Sequence, residues 1–153
     1  MLLQRLNKND LPEIIAFNRR CFSPGDRWSG EDWTELLEDE RAHYYALLEN
    51  GQIVGNMFLY DWQGERDFLK IMNLGVAPDR RGQGLACRLL QKAAEELKAS
   101  MLTRCCGETR ESNLAMRRVA TTAEAATIRL EESYYENPTE SACKYVLRRE
   151  ELE

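Results

Sequence analysis

Between Ile71 and Ala86 an apolar run gives way to Pro78-Asp79-Arg80-Arg81-Gly82-Gln83-Gly84 and then to a helical pattern. Gly82 and Gly84 carry no Cβ, so the backbone there can take positive φ and a ligand can approach the amides closely. The amides that open a helix have no intrahelical partners and sit at the positive end of the macrodipole, a setting that suits a phosphate, with Arg80 and Arg81 adding positive charge. The same glycines would also serve simply to shape a strand-to-helix turn. No Lys-Ser or Lys-Thr follows, which argues against a Walker loop. Gly82-x-Gly84 is followed by Cys87 rather than a third glycine, which argues against a dinucleotide fingerprint.

Glu108 is the second candidate, placed at or just past the end of a strand expected over Met101 to Cys106. Read by itself, it is an exposed carboxylate paired with Arg104 or Arg110, worth little to stability. A thiol nucleophile at Cys105 or Cys106 lacks a sequence-adjacent histidine, and His43 is the sole histidine of the chain. One histidine excludes a multi-histidine metal site, and Tyr44, Tyr45, Leu47 and Leu48 beside it read as strand. No metal is expected. The five cysteines, at positions 21, 87, 105, 106 and 143, are odd in number and lack Cys-x-x-Cys spacing, so buried free thiols are expected.

The elements that must position these groups follow from periodicity. Leu2, Leu3 and Leu6 suit a first strand. Asp10-x-x-Glu13 resembles a capping box, with Pro12 near the first helical position and Leu11, Ile14, Ile15 and Phe17 or Cys21 as the buried stripe. Pro24 and Gly25 break that helix in an exposed, irregular loop, and Ser29 with Asp32 opens a second helix carrying Trp33, Leu36 and Leu37. Trp28 in the loop between reads as a lid over the core, as a wall of a substrate site, or as both at once. Asn50-Gly51 between Tyr44–Leu48 and Ile53–Tyr60 predicts a type I′ hairpin, and Gln63-Gly64-Glu65 a second turn into Phe68–Val76. Leu85, Leu89, Leu90, Ala93, Ala94 and Leu97 keep helical spacing. A strand, helix, strand order then makes the sheet mixed. Ser112-Asn113 should cap a helix from Leu114 to about Glu124, followed by strands at Ala126–Leu130 and Cys143–Leu147.

At 153 residues the expectation is a single domain spanning 1–153. A formal net charge of -5 gives no broad basic field, so nucleic acid is not an expected partner, while a basic peptide could be drawn to an acidic cleft. No apolar stretch approaches the roughly twenty residues that span a bilayer, and the N-terminus lacks a continuous apolar leader core, so no membrane role and a cytoplasmic location are expected.

Arg81-Gly82-Gln83-Gly84-Leu85-Ala86 resembles the Arg/Gln-x-x-Gly-x-Gly/Ala signature of the GNAT superfamily of acetyl-CoA-dependent N-acetyltransferases. Asn73-Leu74-Gly75-Val76-Ala77-Pro78, Glu108-Thr109-Arg110-Glu111-Ser112-Asn113 and Tyr134-Tyr135 resemble its ribosomal-protein-alanine branch. Phe22, Trp28 and Ser29 are similar to that branch's Phe-Pro-Trp-Ser loop, lengthened here by Pro24 to Arg27.

The resemblance implies an α/β domain of the α+β type, a mixed sheet of about six or seven strands with four helices, the GNAT acyl-CoA N-acyltransferase fold. It implies that Leu74, Gly75 and Val76 offer backbone groups to the acetyl carbonyl and pantetheine arm of acetyl-CoA. By the same resemblance Arg81, Gly82, Gln83, Gly84, Leu85, Ala86 and Cys87 hold the pyrophosphate, Asn113 reaches the coenzyme and Glu108 is the general base. The acceptor would be a protein or peptide N-terminus, a ribosomal protein being one candidate, with Trp28, Tyr134 and Tyr135 lining its groove.

The sequence departs from the branch at Val119 to Ala125, where Ala120 replaces the tyrosine that donates a proton to the leaving thiolate. Water, Tyr134 or no group at all fills that role. The Gly-Phe that ends the branch's helix is replaced by Glu124-Ala125, and Gly107 stands where an apolar residue is usual, which puts the C-terminal packing in question. Acetylation of a small amine and an acyl-CoA-binding module without turnover are the rival readings, and oligomeric state is left open.

Overall fold

The computed structural model describes residues 1–110, 113–122, 126–135 and 140–152. Seven strands form one sheet in the order β1-β2-β3-β4-β5-β7-β6, with β1 Leu2–Leu6, β2 Ala42–Glu49, β3 Gln52–Asp61, β4 Phe68–Val76, β5 Arg104–Arg110, β6 Ala126–Tyr135 and β7 Glu140–Arg148. The helices are α1 Leu11–Cys21, α2 Gly30–Glu38, α3 Leu85–Ala99 and α4 Leu114–Thr122. The β2–β3 hairpin turns at Asn50 (φ 52°) and Gly51 (φ 78°), the positive-φ pair that a type I′ turn requires.

Two apolar layers sandwich the sheet. Leu85, Leu89, Leu90, Ala93 and Leu97 of α3 pack on Leu47, Met57, Leu59, Leu69, Ile71 and Cys105. Ile14 and Phe17 of α1 and Trp33 of α2 pack on Tyr44, Ala46 and Phe58 from the opposite face. The two stripes follow the helical period on one side and the strand alternation on the other.

Three expectations need correction. The capping box lies one turn earlier: Asn7 accepts from Asn9 N, and Asp10 reaches back to Asn7 N, so that a short 3-10 turn over Lys8–Asp10 leads into α1. Asp10, the N-cap of α1 itself, makes no side-chain cap bond. The apolar run at Met101 and Leu102 is the turn out of α3 rather than the start of β5. Ser100 Oγ accepts from Leu102 N, and Met101 is 78% exposed. β5 therefore begins at Arg104, and Glu108 lies inside the strand. The last two strands are also longer than apolar content suggests, β6 running on through Tyr135 and β7 starting at Glu140, because ladder pairing extends past the apolar positions.

Gly107 does not weaken the C-terminal packing. It faces Tyr145 across the β5–β7 pair, and a Cβ at position 107 would lie 2.5 Å from the Tyr145 ring and hydroxyl. The tyrosine, 3% exposed, fills the space. Residues 123–125, and with them the departure at Glu124-Ala125, lie outside the described residues, as does the side chain of Ala120.

Candidate functional site

The site begins where two parallel strands part. β4 and β5 pair only from Phe68–Arg104 to Lys70–Cys106. Beyond that point β4 continues to Val76 bonded to β3, and β5 to Arg110 bonded to β7. Among the described residues, the backbone of β4 from Ile71 onward thus has an edge with no strand partner on the β5 side, and unpaired edge N–H and C=O groups are competent to bond an extended ligand.

A bulge sets which side chains line this wedge. Phe58 pairs with Asn73 but Leu59 pairs with Ile71, which leaves Met72 as the extra residue, 39% exposed. The extra residue shifts the alternation. Leu74 and Val76 consequently pack toward α3, while Asn73 turns to the other face and joins a chain of amides. Asn56 Nδ2 donates to Asn73 Oδ1 at 2.6 Å, Asn73 Nδ2 to Asn18 Oδ1 at 3.2 Å, and Asn18 Nδ2 to the Ile14 carbonyl at 3.0 Å. Asn18 and Asn56 are buried, so these bonds tie α1 to the strand at its bulge. Gly75 follows, with the Phe22 ring against it: a Cβ there would stand 2.7 Å from Phe22 Cζ. The aromatic residue after α1 therefore closes on bare backbone.

At the wide end of the wedge the chain makes a 3-10 turn over Pro78–Arg80 and enters α3. Gly82 and Gly84 both have φ of 79°, and among the described residues no atom beyond the adjoining residues lies within 4 Å of the position either Cβ would occupy. Gly84 is the N-cap of α3 and supplies no side chain, so no side-chain cap covers the amides at the start of α3. Leu85 is buried under the sheet, and Ala86 and Cys87 are half-buried in the first turn. Gln83 is exposed. Arg80 is engaged with Glu49 at 2.8 Å, and Arg81 Nε donates to the Val76 carbonyl at 3.3 Å. Arg81 thereby staples the loop back onto the end of β4.

At the narrow end stands Glu108. Its carboxylate is bonded through both oxygens: Lys70 Nζ donates to Oε2, and Tyr134 Oη donates to Oε1 at 2.7 Å. The side chains of Lys70 and Glu108 are only 20% and 13% exposed. Lys144, opposite Glu108 in the β5–β7 register, places Nζ 4.6 Å from the centre of the Tyr134 ring, and Tyr135 packs edge-on to Tyr134 at 5.0 Å. The alternative reading paired Glu108 with Arg104 or Arg110, and the partners described for it are instead Lys70 and Tyr134. Arg104 lies over the Phe68 ring, and the side chain of Arg110 is outside the described residues. The cluster is a carboxylate with a cation on one oxygen and a phenol on the other, fit to accept, hold and return a proton.

The structure brings Glu108 and Tyr134 into contact. It places Leu74, Gly75, Val76 and the 81–87 loop along the same wedge. Asn113 starts α4, its Oδ1 accepting from Met116 N at 3.0 Å. Trp28 is half-buried, its ring 4.7 Å from Trp33 and 5.6 Å from Phe58, and so acts as a lid on the α1–α2 core. Cys105 is buried and its thiol is pushed well up by that burial, Cys106 likewise in direction, which disfavours the reactive thiolate. His43 sits on β2, with β3 and β4 between it and β5. Among the described residues no group of histidine, cysteine and carboxylate side chains could hold a metal, and no helix is long and apolar enough to cross a membrane.

Sequence reasoning missed Lys70. The available sign was a single charge at the centre of Phe68-Leu69-Lys70-Ile71-Met72, where a central strand is otherwise apolar. Nothing in the sequence linked that charge to Glu108, 38 positions on.

Comparison with known proteins adds the following. Residues 11–122 match the acetyltransferase (GNAT) family. A Bacillus subtilis (strain 168) protein named as a ribosomal protein bS18-alanine N-acetyltransferase is 26% identical over 112 residues, covering 72% of this chain and 71% of its own. The crystal structure of the ribosomal-protein-S18-alanine N-acetyltransferase from Escherichia coli superposes with a TM-score of 0.85 at 23% identity, over 99% of this chain and 98% of that one. Arabidopsis thaliana NAA60, solved in complex with acetyl-CoA, superposes with a TM-score of 0.82 at 14% identity, over 96% and 97%.

Proposed function

Given that the chain belongs to the acetyltransferase (GNAT) family and is a GNAT-type N-acetyltransferase, we propose that it moves an acetyl group from acetyl-CoA to the N-terminal α-amine of a protein by direct attack on the thioester. The observation that carries this reading is the Lys70–Glu108–Tyr134 cluster at the narrow end of the β4–β5 wedge.

The residues present fit acetyl-CoA. The open, positive-φ backbone at Gly82 and Gly84 with the uncapped amides of α3 suits its pyrophosphate. The unpaired edge at Leu74, Gly75 and Val76 suits the amide-bearing pantetheine arm running toward Glu108. Bound acetyl-CoA supplies an activated acyl group on a thiol leaving group.

The remaining chemistry falls to the chain's own side chains. An α-amine has a pKa of about 7.7–8.0, so near neutral pH it must shed one proton before it attacks. Glu108 receives that proton, directly or through water. Tyr134, already bonded to Glu108, stands in for the tyrosine replaced by Ala120 and protonates the thiolate. Asn18, Asn56 and Asn73 hold the bulged strand in register, and the Phe22 ring packs against Gly75.

Two findings support a protein acceptor: the names of the similar bS18 and S18 enzymes, and the 40% exposure of Tyr134, which leaves its side chain within reach of a peptide. We place the reaction in the cytoplasm, where five cysteines outside any disulfide would remain reduced. The test is CoA release with peptides bearing a free or a formyl-blocked N-terminus. Release only with free N-termini supports the reading; equal release with spermidine-like amines shifts it to a small-amine enzyme, and acetyl-CoA binding without any release to a binding module.

A further inference from the structure

Lys70 is an amine held on the carboxylate proposed as the base. Its Nζ donates to Glu108 Oε2 from a strand position directly before β4 and β5 separate, and the pair is largely shielded from solvent. An acceptor α-amine would make the same bond to the same oxygen. We infer that Lys70 is itself an acetylation site: the protein transfers an acetyl group from acetyl-CoA to its own Lys70 Nζ. The inference rests on the acetyltransferase reading above.

The chemistry balances without an oxidant or reductant. Lys70 enters as an ammonium and ends as an amide, so two protons leave nitrogen. One passes to Glu108 Oε2 and on to solvent before attack. The nitrogen lone pair then forms the N–C bond to the acyl carbon as the C–S bond breaks. The second proton reprotonates the departing thiolate, with Tyr134 Oη, bonded to Glu108 Oε1, in place to relay it. The product is neutral at Nζ, so the ion pair with Glu108 is lost and the amide stays where an incoming amine must bind. Self-acetylation thus removes the acceptor site from use.

The experiment incubates the purified full chain with acetyl-CoA carbon-13-labelled in the acetyl group, which separates new acetylation from any acquired during expression, and maps the label by peptide mass spectrometry. Lys8 and Lys98, both exposed, report the rate of uncatalysed acetylation in the same sample. Labelling of Lys70 should exceed theirs by roughly 10²-fold, the lower end of what a positioned base contributes, at a rate constant independent of protein concentration. Glu108→Gln should bring Lys70 down to the level of Lys8 and Lys98, and Lys70→Arg should abolish the fast mass gain. The melting temperature with and without acetyl-CoA is measured on each variant, so that a misfolded Glu108→Gln is recognised and Tyr134→Phe takes its place. If acetyl-CoA raises the melting temperature yet Lys70 is labelled no faster than the two reference lysines, or equally fast in Glu108→Gln, self-acetylation is overturned and the acetyltransferase reading stands. If acetyl-CoA does not bind, both fall together.

Discussion

Tyr134 Oη lies 2.7 Å from Glu108 Oε1 although their strands, β6 and β5, are not neighbours in the sheet. The tyrosine spans β7, with Lys144 of that strand beneath its ring. A phenol held this way donates a hydrogen bond to the carboxylate, and under the proposed function the two residues serve one proton-transfer task. Replacing the carboxylate should therefore cost turnover rather than coenzyme binding. Glu108→Gln is expected to lower kcat by about 10²–10⁴ while acetyl-CoA affinity stays nearly unchanged. Steady-state CoA release with calorimetric titration of acetyl-CoA measures both, and a parallel loss of affinity would make Glu108 a binding residue.

Tyr134→Phe removes one hydroxyl and should lower turnover by roughly 10²-fold. Because the two groups serve one task, the double variant with Glu108→Gln should be little slower than Glu108→Gln alone. Multiplying effects in the four-variant cycle would separate the residues.

The Phe22 ring on Gly75 leaves no room for a methyl group, since a Cβ at Gly75 would sit 2.7 and 2.8 Å from two ring carbons. Gly75→Ala should destabilise the fold by about 1–3 kcal/mol, the usual cost of overpacking. Adding Phe22→Leu should recover part of that loss in a denaturant melt. No recovery would place the strain elsewhere.

Gly84 combines φ of 79° with open space. Gly84→Ala thus meets no neighbour, and its expected cost is the roughly 1–2 kcal/mol of a left-handed residue with a Cβ. The larger effect should be on ligand: the rise in melting temperature at saturating acetyl-CoA, linked to binding by the native state, should shrink as the methyl group intrudes on the amides. An undiminished rise would move the pyrophosphate away from this loop.

On the α3 face, burial pushes the Glu96 carboxyl upward. Hydrogen bonds from Tyr45 and Lys92, with the Lys92 charge, outweigh that burial and hold it below its ordinary range. A depressed folded-state carboxyl contributes stability that is present above the unfolded value, roughly 4.3, and lost as pH falls through the folded one. Stability should decline with acid in that window, and Glu96→Gln should flatten the decline in melts taken between about pH 3 and 5. An unaltered slope would show that other carboxylates dominate.

The amino-acid order alone determined most elements and the anion-ready loop. Asn50-Gly51 sets its hairpin because few residue pairs take positive φ together, and Gly82-x-Gly84 sets its turn for the same reason. The apolar stripe from Leu85 to Leu97 determines α3 by its period, and Ser29 with Asp32 determines the start of α2 through its reciprocal cap. These are local effects, carried by φ preferences and by side chains three or four positions apart.

Only the tertiary structure decided what Glu108 touches. Lys70, Glu108 and Tyr134 come from three strands, and their meeting depends on where β4 and β5 stop pairing and on register between β5 and β7, neither of which leaves a periodic trace. The same holds for Phe22 on Gly75 and Tyr145 on Gly107, where a glycine is required by a ring that arrives from elsewhere in the chain. The boundary of β5 departs from the apolar run for the converse reason: apolar residues mark burial, and Leu102 is buried without belonging to a strand. Backbone pairing is set by the neighbouring strand, so the position of Glu108 within β5 rather than beyond it followed from β7 and not from the composition of the run itself.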